Sequence, residues 1–153
     1  MKIISHRGNM FGPDKDRENC PEQVLTALAK GYDVEVDLWA HDQNLFLGHD
    51  EGQYPIQKDF LENNAKQLWI HCKNLEALYM CEFDIVGVRY FWHQSDDFAL
   101  TSDRIFWTYP GQPLTPNSIL VMPEIDDFVN VGPDIYGICS DHVDQIEKII
   151  YGL

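Results

Sequence analysis

The chain has 153 residues and a formal net charge of −14, from 11 basic and 25 acidic side chains. This surplus of negative charge argues against nucleic acid or an anionic membrane as a general partner, because phosphates would be repelled. The hydrophobic share of 44% and the aromatic share of 12% are typical of a folded globule rather than of a disordered acidic chain. The length predicts a single domain covering residues 1–153.

Four cysteines are spread along the chain, at positions 20, 72, 81 and 139. None forms a CxxC pair or lies beside a histidine at zinc-finger spacing, so we expect reduced thiols in a cytoplasmic protein. The N-terminal residues contain no long apolar segment, which predicts that the chain carries no signal peptide. No run approaches the roughly 18 apolar residues that a membrane span needs.

Strand and helix patterns alternate in the first half of the chain. A predicted strand over residues 2–6 leads into a polar loop over 9–19. Pro21 suits the first position of a helix over 21–30, and Gly31 suits its end. The pattern then predicts, in order, a strand around Glu35, a short strand over 45–47, helical turns over 58–64, a strand over 67–72 and a helix over 75–81.

The second half keeps the strands and loses most of the helices. Strands are predicted over 85–91, 104–108, 118–122 and 135–139, and Asp141 is predicted to cap a last helix over 143–150. The segments between these strands are too short, or too rich in proline and glycine, for full helices. Strands that alternate with helices indicate a parallel α/β sheet. We therefore expect a reduced or incomplete TIM-type (β/α) barrel with helices missing in the second half.

The strand around Glu35 carries two carboxylates on one face. Val34, Val36 and Leu38 alternate with Glu35 and Asp37, so the apolar set and the acidic set point in opposite directions. Residues two apart on one strand face lie roughly 6.6 Å apart, which lets both carboxylates bind one cation. Burying them is costly unless a cation or water offsets the charge. An outward-facing polar strand is the alternative. A barrel explains inward carboxylates better than a doubly wound sheet, whose two faces are both covered by helices.

Four short motifs in the first 50 residues stand in a particular order. They are HRG at 6–8, EN at 18–19 ahead of a helix, ExD at 35–37 and HD at 49–50. In this order and spacing they resemble the glycerophosphodiester phosphodiesterase family, within the phospholipase C-like phosphodiesterases. Later segments match loosely. WIHCK at 69–73 resembles the family's next strand, which usually reads Glu-x-Lys, and FWT at 106–108 and CSD at 139–141 resemble its closing strands.

The resemblance implies a divalent metal on Glu35 and Asp37, with Mg²⁺ or Ca²⁺ expected because all-oxygen ligands suit hard cations. His71 stands where the family has its third acidic ligand, and it has two interpretations. As a ligand, its imidazole would shift the preference toward Mn²⁺ or Zn²⁺. As a core histidine, it would leave the metal to water and another carboxylate. Glu124 is a spare candidate for that carboxylate, with a solvated loop glutamate as the simpler interpretation.

The resemblance also assigns the catalytic acid–base pair to His6 and His49. Cleaving a phosphodiester requires one group to take a proton from the nucleophile and another to give a proton to the leaving alkoxide, and imidazole does both near pH 7. Arg7 and Lys73 would bind the phosphoryl oxygens and offset charge in the transition state. Taken alone, Arg7 is more typical of a structural ion pair, here with Glu18.

The remaining histidines and aromatic residues have no motif support. We expect His41 and His93 to be surface or packing residues. The aromatic segments 90–94 and 107–111 are expected to pack the core, with a wall for a sugar or glycerol unit as the functional alternative. If helices are absent beside these strands, apolar sheet surface needs cover, which a homodimer would supply.

The sequence thus leads to the hypothesis of a metal-dependent phosphodiesterase that acts on a small molecule, a glycerophosphodiester or a related sugar or polyol phosphodiester. In the family, a neighbouring substrate hydroxyl attacks phosphorus, and water then opens the cyclic phosphate. Two alternatives stay open. One is a lyase that stops at the cyclic phosphate, and the other is a protein that binds a phosphorylated sugar or glycerol phosphate without cleaving it.

Overall fold

A computed structural model describes residues 1–132 and 134–152 of the chain. Within these residues ten strands form one mixed, curled sheet, and four short helices accompany it. The strands are β1 (Lys2–His6), β2 (Asp33–His41), β3 (Asn44–Leu47), β4 (Tyr54–Ile56), β5 (Leu68–Cys72), β6 (Tyr90–Trp92), β7 (Phe98–Leu100), β8 (Phe106–Thr108), β9 (Ser118–Val121) and β10 (Gly137–Ser140). The helices are α1 (Pro21–Ala29), α2 (Lys58–Asn63), α3 (Leu75–Phe83) and α4 (Val143–Tyr151), with one 3₁₀ turn at Pro123–Asp126. None of these described helices is long and apolar enough to cross a membrane.

Parallel strands form the centre of the sheet, in the order β6, β5, β2, β1, β10, β9, β8. The antiparallel strands are additions to this run: β3 pairs with the second half of β2, β4 pairs with β3, and β7 pairs with β8. The sheet curls until its edges approach each other, where the backbone N–H of Ser102 donates to the Tyr90 carbonyl of β6 at 2.8 Å. Because parallel strands end at the same edge, the carboxyl ends of β1, β2, β5 and β10 lie together.

The expectation of a TIM-type (β/α) barrel is wrong, because the sheet is a half-barrel with few helices. After β2 the chain first returns antiparallel as β3 and reverses again as β4, before the short helix α2 leads to β5. In the described chain no helix lies between β6 and β9. The connection over 109–117 contains Pro110, Pro113 and Pro116, and proline in a helix interior removes a hydrogen bond and clashes with the preceding turn.

Two local expectations also differ from the structure. The strand expected over 85–91 is shortened to β6, because Gly87 turns the chain with a φ of 77° and Ile85 and Val88 pack into the core instead. Asp141 does not cap the last helix. His142 holds the N-cap position of α4, without a side-chain cap, and the Asp141 carboxylate accepts a hydrogen bond from His6 instead.

Apolar residues fill both faces of the curled sheet. On the outer face, Val36 and Leu38 of β2 belong to the layer between the sheet and helices α1 and α3. On the inner face, the rings of Trp69, Phe91 and Trp107 pack together, with centroids 4.6 Å apart for Phe91 and Trp107. This aromatic group fills the interior below the carboxyl ends of the strands, so the polar residues gather at that one end.

Candidate functional site

A cavity of about 590 Å³ opens at the carboxyl ends of the parallel strands. Most of the residues predicted for the site line it, namely His6, Arg7, Glu35, His49, His71 and Lys73. Asp37, the remaining predicted residue, lies beneath the cavity floor and is fully buried. The fold thus brings together side chains from β1, β2 and β5 and from the loops that follow β1, β3 and β5.

Asp37 is the most enclosed carboxylate of this group. Asn19 fixes it twice, because the Asn19 amide donates to Asp37 Oδ2 at 2.9 Å and accepts from the Asp37 backbone N–H at 2.9 Å. Three cationic or imidazole nitrogens surround it: Arg7 Nε at 3.1 Å, His71 Nδ1 at 3.1 Å and Lys73 Nζ at 3.6 Å. Even so, Asp37 Oδ1 has no aligned hydrogen-bond donor among the described residues.

The orientation of His71 is set by the next strand. Its Nε2–H donates to the backbone carbonyl of His93 at 3.0 Å, and its ring stacks on Phe91 with centroids 5.1 Å apart. In a neutral ring this leaves a lone pair on Nδ1, which faces Asp37 Oδ1 at 3.1 Å and Glu35 Oε1 at 3.8 Å. A lone pair that faces two carboxylates is repelled unless a proton or a metal ion lies between them.

Glu35, Asp37 and His71 are close enough together that they could hold a divalent cation. One ligand atom from each lies within 4.8 Å of the others. Asp37 Oδ1 has no hydrogen-bond partner in the described part of the chain, and the Nδ1 lone pair of a neutral His71 faces the same space. A bound cation would satisfy both atoms. The donor set of two oxygens and one nitrogen suits Mn²⁺ or Zn²⁺ better than Ca²⁺.

The excess of negative charge at the site would also favour a bound cation. The carboxylates of Glu18, Glu35, Asp37 and Asp141 meet the cations of Arg7 and Lys73, so negative groups outnumber positive ones by two when the imidazoles are neutral. Burial, and then the charge of Asp37, raise the pKa of Glu35 above its ordinary value. Burial alone would also raise the pKa of Asp37, but a proton on His71 Nδ1, together with the Arg7 cation, holds it well below the usual range.

His6 forms a pair with Asp141, which follows the last strand. The His6 Nδ1–H donates to Asp141 Oδ1 at 2.8 Å, and Asn9 donates to the same oxygen at 2.8 Å. The Nε2 atom of His6 faces the cavity and lies 3.8 Å from Glu35 Oε2. Burial opposes a charged ring, but the hydrogen bond to Asp141 and the charge of Glu35 outweigh it and raise the pKa of His6. An imidazole held in this way is suited to accept a proton at Nε2.

Arg7 combines the structural role and the site role that the sequence left open. Its Nη1 donates to Glu18 at 3.0 Å, which is the ion pair considered from the sequence, and its Nε lies beside Asp37. The backbone at Arg7 adopts a left-handed φ of 54°, and its N–H donates to the Glu35 carbonyl at 2.9 Å. The guanidinium is therefore held rigidly at the cavity wall.

His49 lines the same cavity and is less enclosed than His6. Its side chain is 42% exposed and its Nδ1 pairs with the exposed Asp50 at 2.8 Å. The preceding turn is tight, because the Gly48 carbonyl accepts from Trp39 Nε1 at 2.8 Å and a Cβ on Gly48 would overlap the Glu51 carbonyl oxygen. His49 also borders a second cavity of about 370 Å³, which shares Arg7 with the first.

The remaining expectations have mixed outcomes. His41 is exposed on β2 and lies outside the residues lining the cavity. His93 lines the cavity, and its ring stacks on Tyr109 with centroids 4.1 Å apart. Glu124 accepts hydrogen bonds from Ser140 Oγ and the Asp141 backbone N–H, so it supports the end of β10.

Sequence reasoning missed the roles of Asp141 and Asn19. Asp141 lies 135 residues from His6, and its CSD segment gave no sign of that pairing. Asn19 belongs to the EN motif, but a loop asparagine has many possible partners, and its contact with Asp37 depends on how the loop over 9–19 folds back.

The chain was also compared with known proteins. No family model, curated protein or solved structure matches it.

Proposed function

We propose that the protein is a metal-dependent phosphodiesterase that acts on a glycerophosphodiester or a related sugar or polyol phosphodiester. The observation that carries the proposal is the shared cavity, in which His6 with its Asp141 partner adjoins the cluster of Glu35, Asp37 and His71. The order of the HRG, EN, ExD and HD motifs supports the same chemistry.

A divalent cation on Glu35, Asp37 and His71 would act as a Lewis acid and offset the charge of the phosphoryl group. The donor set favours Mn²⁺ or Zn²⁺, and Mg²⁺ is the hard-ion choice that the two carboxylates would also accept.

His6 is proposed as the general base. Its Nε2 would take the proton of the attacking hydroxyl, which the family resemblance assigns to a neighbouring hydroxyl of the substrate. Asp141 keeps the Nδ1–H of the ring in place and stabilises the imidazolium that forms. Asp141 is buried and His6 is largely enclosed, so few waters compete for the hydrogen bond between them.

His49 is proposed as the general acid, which gives a proton to the leaving alkoxide. Its greater exposure suits a residue beside which the product alcohol leaves. Arg7 and Lys73 would bind the non-bridging phosphoryl oxygens. Both line the cavity, and both are already oriented by Asp37.

Phosphorus NMR of a reaction mixture tests the proposal. Purified protein with Mn²⁺ or Mg²⁺ is incubated with glycerophosphodiesters that differ in the alcohol. Accumulation of a phosphomonoester is expected. His6→Ala and His49→Ala should each lower the turnover by about a hundredfold or more, while His41→Ala, a histidine outside the cavity, should leave it unchanged.

Three other results of these experiments would lead to different conclusions. A cyclic phosphate that is never opened would identify a lyase. Ligand binding in calorimetry, with no product from any of the diesters, would contradict catalysis. Wild-type turnover in the His6→Ala or His49→Ala variant would contradict the two-histidine mechanism.

We propose a small-molecule diester as the partner of this cavity and a cytoplasmic location. The four cysteines are all free, as expected in a reducing compartment.

A further inference from the structure

One flank of the molecule carries apolar side chains that nothing in the described chain covers. Helix α3 is apolar on both sides. Its inner face buries Ala77 and Cys81, while Leu75, Tyr79 and Phe83 form an outer stripe at four-residue spacing. The Tyr79 and Phe83 rings touch each other, with centroids 4.9 Å apart. Exposed apolar patches of this kind mark interaction sites in soluble proteins.

The part of the sheet beside α3 lacks a described helix on its outer face. Phe98 and Leu100 of β7 and Phe106 of β8 share the outer face of the sheet, since Leu100 pairs with Phe106 and the inner face takes Ala99 and Trp107. Among the described residues no helix packs on this outer face. Only β6 separates it from α3, because α3 packs on β6 and β6 lies next to β7.

We infer that a second copy of this chain covers this flank, so that α3 of each copy packs on the bare β7–β8 face of the other. The arrangement is a two-fold dimer in which each chain supplies the helix that its partner lacks. The flank is self-complementary, because it carries an uncovered apolar helix face beside a sheet face that has no described helix on it.

The exposed apolar area of this flank is close to what a stable dimer interface buries. The six side chains of the patch are between 39% and 76% exposed. At about 200 Å² for each fully exposed large side chain, they leave on the order of 700 Å² in water. This value exceeds the largest apolar patch of most monomers, about 300–600 Å². It approaches the roughly 800 Å² that each partner buries in a standard interface.

Sedimentation equilibrium at about 5–100 μM tests the inference without any substrate, so its outcome is independent of the proposed phosphodiesterase activity. Wild-type protein is expected to have twice the mass of one chain. Tyr79→Glu and Leu100→Glu should each shift the protein to the monomer, because a carboxylate buried in the interface is costly. Ile149→Glu is the matched control, since Ile149 is a half-exposed apolar residue of α4, a helix that packs on β1 and β10. It should remain dimeric.

Cysteine pairing tests which surfaces meet. In a Cys20→Ser background, where the other native cysteines are buried, a Tyr79→Cys protein is mixed with a Leu100→Cys protein and mildly oxidised. Disulfide-linked dimers are expected from the mixture and not from Ile149→Cys mixed with either. A monomeric wild-type mass would overturn the inference. Crosslinking of Tyr79→Cys alone, with no disulfide between Tyr79→Cys and Leu100→Cys chains in the mixture, would overturn the helix-on-sheet arrangement.

Discussion

At the scale of single residues, the part-buried His6–Asp141 pair is the interaction with the clearest energetic consequence. The ring donates to a carboxylate that is itself 5% exposed and receives a second hydrogen bond from Asn9. A hydrogen bond to a charged group contributes roughly 1.5–3 kcal/mol. Such a pair therefore holds the Nε2 atom in place and also contributes to folding.

The pair makes stability depend on pH. The hydrogen bond to Asp141 raises the pKa of His6 despite burial, so the contribution of His6 is fully present below the unfolded pKa and is lost as pH rises through the folded pKa. The pKa of Asp141 is lowered by His6 although burial opposes this, so its contribution is present above the unfolded pKa and is lost as pH falls through the folded pKa. Both contributions are complete between about pH 4 and about pH 6.5.

We expect Asp141→Asn to lower the free energy of unfolding by about 1.5–3 kcal/mol at pH 5.5 and by less at pH 9. Urea unfolding at the two pH values measures the difference. Asp50→Asn is the control, because Asp50 makes the same kind of pair with His49 but is 94% exposed, and it should change little. An equal cost of Asp141→Asn at both pH values would contradict the charged pair.

A second prediction at this scale concerns Gly48. A Cβ there would overlap the Glu51 carbonyl and crowd the Gln53 backbone nitrogen, so the turn that presents His49 must shift. Gly48→Ala should cost about 1–3 kcal/mol of stability and lower turnover together with it. Gly87→Ala is the control, since Gly87 also has a positive φ but has open space around it. Equal effects of the two substitutions would show that backbone strain, rather than the overlap, is responsible.

At this scale the sequence predicts the types of the site residues better than their partners. The alternation of Val34 to Leu38 is local, so it correctly separates the outer apolar face from the carboxylates. The contacts of Asp141 and Asn19 depend on how distant segments meet, and no local pattern contains that information.

At the scale of elements, β2 connects the whole site. It pairs with β1 and β3 on one side and with β5 on the other, so the register fixes Glu35 beside His6 and Asp37 beside His71. The proposed cation ligands therefore lie on two adjacent strands rather than on loops. Ligands on paired strands change position little, which favours a preformed site.

Metal binding can be measured directly at this pair of strands. His71→Ala should weaken Mn²⁺ binding in calorimetry by at least about tenfold, because it removes the nitrogen ligand. Mn²⁺ at about 100 times its dissociation constant should raise the free energy of unfolding by about 2.7 kcal/mol, and a chelator should reverse this. His41→Ala, on the exposed end of β2, should bind like the wild type. Unchanged affinity in His71→Ala would contradict its role as a ligand.

Element prediction succeeded where local signals mark the element, such as Pro21 at the start of α1, and failed where tertiary context decides. Strand β1 and helices α1 and α2 lie within one residue of the expected bounds. The three-residue strands β4 and β7 were not predicted, because so short a segment carries no recognisable period. The barrel expectation failed because sequence alternation does not show whether a strand returns antiparallel, as β3 and β7 do.

At the scale of the whole molecule, the net negative charge destabilises the compact folded state. A net charge of −14 on 153 residues produces mutual repulsion. Salt shortens the Debye length from about 10 Å at 0.1 M to about 3 Å at 1 M, and it screens exposed charges far more than the buried pairs of the site.

We therefore expect the midpoint of thermal unfolding to rise when NaCl is raised from about 0.1 M to about 1 M. The same change should tighten the proposed dimer, which brings two chains of equal sign together. Measuring Tyr79→Glu alongside the wild type separates the two effects, since that variant is expected to be monomeric. A midpoint that falls with salt in both proteins would show that attractive ion pairs outweigh the repulsion.

The pairing of the first strand with the last has a further consequence. β1 lies beside β10, and the imidazole of His6 pairs with the carboxylate of Asp141, 135 residues later in the chain. During synthesis on the ribosome, the nascent chain carries every proposed cation ligand long before it carries Asp141. The proposed proton acceptor, His6, therefore gains its carboxylate partner only after all the proposed cation ligands have been synthesised.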